Sequence, residues 1–486
     1  MKEVMEMKET KETKETKETK ETKETIEMKE SNVLKRSLIN SLKEPVTESE
    51  HNLFVAKSES NSNSELIVNT DETICLMGWV HRIKRLKTVV FIILRDRTGL
   101  VQCAFAPELI EPLELTLETV ICLTGKKVKG KNDYADFEIA GERIEVLNPA
   151  AGELPVAVNG KEIEVQLETL LKHRVLGLRH PKEQAIFKIQ SLIGEGFRKF
   201  LSTQGFTEIH SPKLVKEGAE GGANVFKLDY FGETAYLAQS PQFYKQMMVI
   251  SGMERVFEVG SVFRAEAHST SRHLNEYVSL DLEMGFIFHE DELMRLETEL
   301  LRSIMSSLKE NGNNELSILE VTLPEVPDEI PHMKLSEAIA ILKENYGKTE
   351  LEGDLDPEGE KLISQYIYET TGSEFVFLTH YPKRKRPMYT MPCGEEETHS
   401  FDLLFRGMEI TTGGRRIHRL DMLIQSMREK GLDPEQYESY LEAFKYGAPP
   451  HGGLAIGLER LTALLLGFSN VRRTSLFPRD GQRLVP

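Results

Sequence analysis

The segment 263–276, FRAEAHSTSRHLNE, holds two arginines, two glutamates and two histidines in fourteen positions. Guanidinium forks grip anionic oxygens in pairs, and carboxylates and imidazoles hold or move protons, so such a cluster has the makings of a charged-substrate site. A hairpin on a solvated surface has the same composition, and the flanks decide between the two. Before it runs ERVFEVGSVF and after it YVSLDLEMGFIF, two apolar stretches with strand-like alternation. They predict a hairpin within a buried sheet, with the charged segment as its loop.

Two further pieces must position this loop. In AIFKIQSLIGEGFRKFL, the residues Ile186, Ile189, Ile193, Phe197 and Phe200 recur at steps of three and four and predict an amphipathic helix closed near Gly205. The strand FTEIHSPKL follows and is interrupted by Pro212, which suits an edge or a kink. Near the C-terminus, PPHGGLAIGLERLTALLLGF reads as a glycine-rich strand turning into a helix. Its Leu458, Leu461, Leu464 and Leu465 face a core, with Arg460 in the first turn aimed outward. No GxxxxGK[ST] loop and no dinucleotide fingerprint occur, so nucleotide binding here needs neither a P-loop nor a Rossmann turn.

The whole chain of 486 residues is 40% hydrophobic and 29% charged, the balance of a soluble protein with two or three domains. No apolar run approaches a membrane span and the N-terminus is lysine- and glutamate-rich rather than signal-like, so a cytoplasmic location is expected. Cys75, Cys103, Cys122 and Cys393 lack CxxC spacing and predict reduced thiols rather than a zinc or disulfide framework. A net charge of −17 argues against indiscriminate coating of nucleic acid, but HRIKRLK, KKVKGK and KRKR are local basic runs.

Residues 8–25 are six copies of KET, which set lysine against lysine at helical spacing. With the Ser-, Asn- and Glu-rich stretch after them, residues 1–65 read as a disordered tail. Residues 66–148 alternate in several short segments joined by basic loops, the pattern of an OB-fold barrel that binds single-stranded nucleic acid, with Phe91 and Tyr134 as candidate stacking residues. Residues 149–180, with NPAAGELP, read as a linker, and 181–486 as a larger domain of α+β class.

The helix and Pro212 strand, the hairpin headed by Phe-Arg-x-Glu and the glycine-rich strand into a Glu-Arg helix resemble, in that order, motifs 1, 2 and 3 of the class II aminoacyl-tRNA synthetases. Within that class the chain is similar to the archaeal and eukaryotic-type aspartyl enzymes, on LAQSPQFYKQ, FRAEAHSTSRHLNE, FDLLFRGMEITTGGRRIHR, YGAPPHGG and LFPRDGQRLVP. The resemblance implies an anticodon-binding OB barrel and a catalytic domain on an antiparallel sheet flanked by helices. It also implies homodimers across motif 1, ATP as substrate with Mg²⁺, and L-aspartate and tRNA(Asp) as the other partners. By resemblance, Arg264 bridges the α-phosphate and the attacking carboxylate, Glu266 meets adenine, and Arg272, His273 and Leu274 lie by the nucleotide. Arg460 covers the adenine and holds the γ-phosphate, while Asp402 and Glu409 match the metal carboxylates. Lys245 and Arg416 match the cations aimed at the aspartate side chain, and Glu220, Ser240 and Gln242 lie near its amino end.

On the barrel the resemblance gives Phe91 a stacking role and Gln102 a hydrogen bond to an anticodon base, with Arg82 and Lys84 toward phosphate. His81, after GWV, stands where relaxed archaeal relatives often carry His, which implies tRNA(Asn) as a second acceptor; the loop near Tyr134 matches neither type. Departures from the pattern are Leu454 and Ala455 in GGLAIG and Ala267 in place of a second glutamate. The alternatives are an asparaginyl enzyme, opposed by Lys245, and a synthetase-derived protein that binds tRNA or nucleotide without charging.

Overall fold

Alternation along the N-terminal half becomes five strands: β1 (Ile74–Arg85), β2 (Val90–Arg95), β3 (Leu100–Phe105), β4 (Val120–Lys129) and β5 (Phe137–Asn148). In the computed structural model, which describes residues 36–42, 73–216, 224–266 and 270–485, they close into a barrel in the order β1-β2-β3-β5-β4. Period-two burial makes the inside: Ile121 and Leu123 of β4 are buried with Cys122 between them partly exposed, and in β2 Val90 and Ile92 are buried on either side of the partly exposed Phe91. The described residues divide into two compact units between Lys161 and Glu162.

The KET repeats lie outside the described residues. Within the tail expected to be disordered, however, Arg36–Leu42 is ordered and packs on the barrel. Ile39 is fully buried among Leu76, Ile92 and Phe105. The backbone is tied down as well: Ser37 N donates to Cys75 O at 2.8 Å and Ile39 N to Asp96 Oδ2 at 2.9 Å. One buried isoleucine and paired backbone groups offset the chain entropy that the polar surroundings suggested would win.

The expected linker also departs from its prediction. It contains short helices at Leu167–Lys172 and Arg174–Gly177. Arg174 is buried against Glu183 at 3.1 Å, and its guanidinium donates to the carbonyls of Arg473, Ser475 and Leu476. A buried cation with that many oxygen partners fixes this stretch to the second unit.

The second unit is built on an eight-stranded sheet. Its strands are β6 (Thr207–Glu208), β7 (Arg255–Phe263), β8 (Glu276–Gly285), β9 (His332–Lys334), β10 (Phe375–Thr379), β11 (Ser400–Phe405), β12 (Met408–Arg416) and β13 (His451–Gly457). They run in the order β9-β10-β11-β12-β13-β8-β7-β6. The sheet is antiparallel except at its margins, where β9 on β10 and β6 on β7 are parallel. The expected helix is α1 (Pro181–Thr203), started by Pro181 and ended before Gly205, whose φ of 78° only glycine adopts freely. Its Ile186, Ile189, Ile193 and Phe197 join Leu280, Leu282, Leu454 and Ile456 in one core, so helices cover one face of the sheet.

The opposite face is polar. Along β8, Tyr277, Ser279, Asp281 and Glu283 alternate with the core residues Leu280, Leu282 and Met284. Register sets Ser279 beside Gly457, Asp281 beside Ala455 and Glu283 beside Gly453, and then Ala455 beside Thr412. A β-strand puts every second side chain on one face, so four polar residues at that period amount to the floor of a site.

Candidate active site

The charged hairpin, the glycine-rich strand and the helix α2 (Leu458–Leu465) meet over this floor. The cleft between them is lined by Arg264, Glu266, Arg272, His273, Glu409 and Arg460, with Ser240, Ser279, Thr412 and Ala455 below. Arg264 sits at the end of β7, its backbone N–H on Asn275 O at 2.9 Å and its guanidinium 5.7 Å from the Tyr277 ring, a cation–π contact that restrains its direction. Arg460 donates from Nη1 to Glu409 O at 2.7 Å, so the last helix is fastened to β12. Thr412 Oγ1 donates to Glu409 Oε1 at 2.9 Å and sets that carboxylate against the cleft wall. His273 touches Thr270 Oγ1 at 2.7 Å, and burial pulls its imidazole below the ordinary range.

Next to Arg460, Glu459 is buried and spends both carboxylate oxygens on Val278 N–H, at 3.0 and 3.1 Å. Burial pushes its carboxyl up to about 7. This is an anchor of α2 on β8 rather than a group free for chemistry.

One step further along the same strand faces lies a buried ionic layer. Arg416 Nε donates to Glu283 Oε1 at 3.0 Å, and its Nη2 to Gln242 Oε1 at 3.2 Å and Gly453 O at 3.0 Å. Lys245, 1% exposed, donates to Asp281 Oδ1 at 2.9 Å and to the carbonyls of Leu282 and Leu454 at 3.3 Å, and it lies 3.4 Å from Glu283. Burial alone raises the Glu283 carboxyl, but Arg416 and Lys245 outweigh it and leave the group below the ordinary range. Glycine at 453 makes room, because a Cβ there would lie 2.1 Å from Glu283 Oε2. Two cations and two carboxylates thus hold one another in fixed geometry, with Asp281 Oδ2 left without a hydrogen-bond partner among the described residues.

Residues 166–481 match the family model described as tRNA synthetases class II (D, K and N). Residues 74–147 match that of the OB-fold nucleic acid binding domain. The chain belongs to the class II tRNA synthetases. It is 48% identical over 429 residues to the aspartate–tRNA(Asp/Asn) ligase of Deinococcus radiodurans, covering 87% of this chain and 98% of that one. It is 43% identical to the aspartate–tRNA(Asp) ligase of Pyrococcus abyssi, covering 84% and 95%. Among solved structures, the aspartyl-tRNA synthetase of Entamoeba histolytica superposes with a TM-score of 0.76 at 31% identity, covering 86% and 90%. The asparaginyl-tRNA synthetase of Pyrococcus horikoshii with asparaginyl-adenylate superposes with 0.79 at 30%, covering 85% and 96%.

As a class II synthetase, the chain brings together in one cleft or just beneath it Arg264, Glu266, Arg272, His273, Leu274, Ser240, Gln242, Lys245, Glu409, Arg416 and Arg460. Glu220 lies outside the described residues, as does Ala267. Asp402, expected beside Glu409 on a metal, is not part of the cleft lining. Its carboxylate is buried on Arg386 at 2.7 Å, and burial raises it to about 7. Thr412, its neighbour in register on β12, is the oxygen that meets Glu409 on the cleft wall. The run KRKR is also largely spent: Lys383 pairs with Glu429, Lys385 with Asp354 and Arg386 with Asp402. Ala455 does line the cleft, as expected of a departure near the pocket, whereas Leu454 points into the core.

On the barrel, Phe91 and Gln102 are partly exposed on adjacent strands, and Gln102 Nε2 donates to Glu138 at 2.7 Å. His81 is 5% exposed. It is the extra residue of a β-bulge in β1 and its Nδ1 lies 3.0 Å from Arg95 Nη1, while Arg95 holds Glu118 at 2.6 Å. His81 thus rests on the buried Arg95–Glu118 pair. Sequence reasoning missed Tyr277, Asp281, Glu283, Thr412 and Glu360. The first three were signalled by the polar alternation of β8; Thr412 and Glu360 become visible only when the strands and helices are assembled.

Proposed function

We propose that the protein is an aspartate–tRNA ligase that activates L-aspartate with ATP and transfers it to tRNA(Asp), with tRNA(Asn) as a second acceptor. The observation that carries the amino-acid assignment is the buried pair Lys245 and Arg416, set with Asp281 and Glu283 immediately beyond the cleft floor. Lys245 and Arg416 are already paired with Asp281 and Glu283, so an aspartate side chain would be bound by sharing their donors, its negative charge favouring the carboxylate over an amide. The curated relatives cited above are likewise named for aspartate.

In this reading the α-carboxylate of aspartate attacks the α-phosphate of ATP, releasing pyrophosphate. Two anions must approach, and Arg264, aimed by the Tyr277 ring, neutralises the charge that develops between them. Glu266 takes the adenine amino group, Arg272 and His273 the outer phosphates, and Arg460 the nucleotide from the far side. Glu409 and Thr412 offer adjacent hard oxygen donors, which suit Mg²⁺ that completes its shell with phosphates and water. When bound, Mg²⁺ would supply charge neutralisation of the polyphosphate. A cytoplasmic location and a homodimer complete the proposal; no helix among the described residues is long and apolar enough to cross a membrane.

The test is aspartate-dependent exchange of labelled pyrophosphate into ATP, run against asparagine. Exchange with aspartate alone is expected. Exchange driven by asparagine, or by neither, would overturn the assignment.

A further inference from the structure

Glu360 lies on the helix Pro357–Thr371, outside the three motifs, and reaches the cleft wall through Arg272. Its Oε2 makes a short ion pair with Nη2 of Arg272 and also accepts the backbone N–H of Glu409 at 3.3 Å. A ring closes through Arg460, which donates to Glu409 O at 2.7 Å and reaches Arg272 O at 3.5 Å. Four residues on four elements are therefore tied together where the cleft holds its arginines.

The geometry of this ring is one-sided. Arg272 lines the cleft, and Glu360 does not. The two side chains are 16% and 12% exposed, so solvent screens the pair little. Arg272 spends Nη2 on Glu360, and its Nε has no partner among the described residues. The helix end that carries Glu360 is itself fixed, with Pro357 in the first turn and Asp356 Oδ1 accepting Gly359 N–H at 2.7 Å.

We propose that Glu360 is a positioning residue for ATP. It holds the Arg272 guanidinium in the cleft wall, ready for the outer phosphates, and fixes the backbone of Glu409 with the same oxygen. An unrestrained arginine loses rotamer freedom on gripping an anion, and an ion pair formed in advance removes part of that cost. The neighbouring Glu409 N–H needs an acceptor but no charge, so one carboxylate serves two partners with different requirements. This deepens the aspartate ligase reading and rests on its placement of the phosphates.

Glu360→Gln keeps an acceptor for Glu409 N–H and removes the charge that holds Arg272. ATP affinity, measured by calorimetry with Mg²⁺ and without aspartate, should fall about tenfold, the scale of one lost charge-assisted contact. In pyrophosphate exchange the KM for ATP should rise by a similar factor while the KM for aspartate stays the same. The double variant with Arg272→Gln should bind ATP no worse than Arg272→Gln alone, because the glutamate acts through the arginine. Unchanged or tighter ATP binding in Glu360→Gln, or additive losses in the double variant, would overturn the inference. If exchange is absent from the unaltered protein while ATP binding still follows the expected pattern, the ligase reading fails and the role of Glu360 stands. An unaltered protein that binds no ATP removes both.

Discussion

Replacing Glu297 by glutamine should stabilise the protein near neutral pH and do so less as the pH falls. Glu297, on the helix Asp291–Asn311, is fully buried beneath β12. Its Oε1 accepts from Thr411 Oγ1 at 2.5 Å, and its Oε2 has no partner among the described residues. Burial first, with the charge of Asp402 adding to it, pushes the carboxyl from 4.5 up to about 8, and the Thr411 hydrogen bond offsets only part of this. The folded state therefore keeps its proton after the unfolded chain has lost it. Below pH 4.5 both states are protonated and nothing is lost; from there to about 8 the folded state is progressively penalised, and beyond that the penalty is constant. At about 1.4 kcal/mol per pH unit the penalty near pH 7.5 is on the order of 4 kcal/mol. Glutamine cannot ionise, but its amide N–H groups lack a buried acceptor, which costs about 1–3 kcal/mol. A net gain of about 1–3 kcal/mol near pH 7.5 remains, and it should shrink or reverse near pH 5. Urea unfolding of both proteins at the two pH values measures it. Equal stabilities at both would refute the reasoning, since they would mean that Glu297 titrates alike in the folded and unfolded chain.

Arg264→Ala should lower aspartate-dependent pyrophosphate exchange by about 10²–10³ or more while tRNA affinity is retained, which exchange and filter-binding assays separate. Ile39→Ala should cost about 2–4 kcal/mol in barrel stability, read as a lower urea midpoint, because the side chain is fully buried in the barrel core. Affinity for tRNA should fall steeply and linearly on logarithmic axes as salt rises, owing to counterion release; a flat response would count against a phosphate-binding role for Arg82 and Lys84.

The parts of this protein that were legible in its sequence are those where one periodicity speaks for both element and face. Ile186, Ile189, Ile193 and Phe197 repeat as a helix must, and they are buried on it. The hairpin around Phe263–Glu276 was marked by apolar alternation on both sides, and β7 and β8 pair through it from Arg255 with Met284 to Phe263 with Glu276. The same alternation contained Tyr277, Ser279, Asp281 and Glu283, but their importance emerges only once β13 supplies glycine and alanine opposite them. The Asp402 carboxylate rests on Arg386, a partner that spacing in sequence does not reveal. His81 is buried at a β-bulge, which nothing in the sequence signals. Ile39 was hidden by composition: a polar tail is a fair average for residues 1–65, and one apolar side chain with a cavity to fill escapes the average.

The most direct test of the central claim is charging of purified tRNA(Asp) and tRNA(Asn) with labelled aspartate, and in parallel with labelled asparagine. Aspartate on both tRNAs and asparagine on neither is the predicted result. Aspartate on tRNA(Asp) alone would remove the second acceptor, and asparagine on either tRNA, or aspartate on neither, would contradict the account of Lys245 and Arg416 on which the assignment rests.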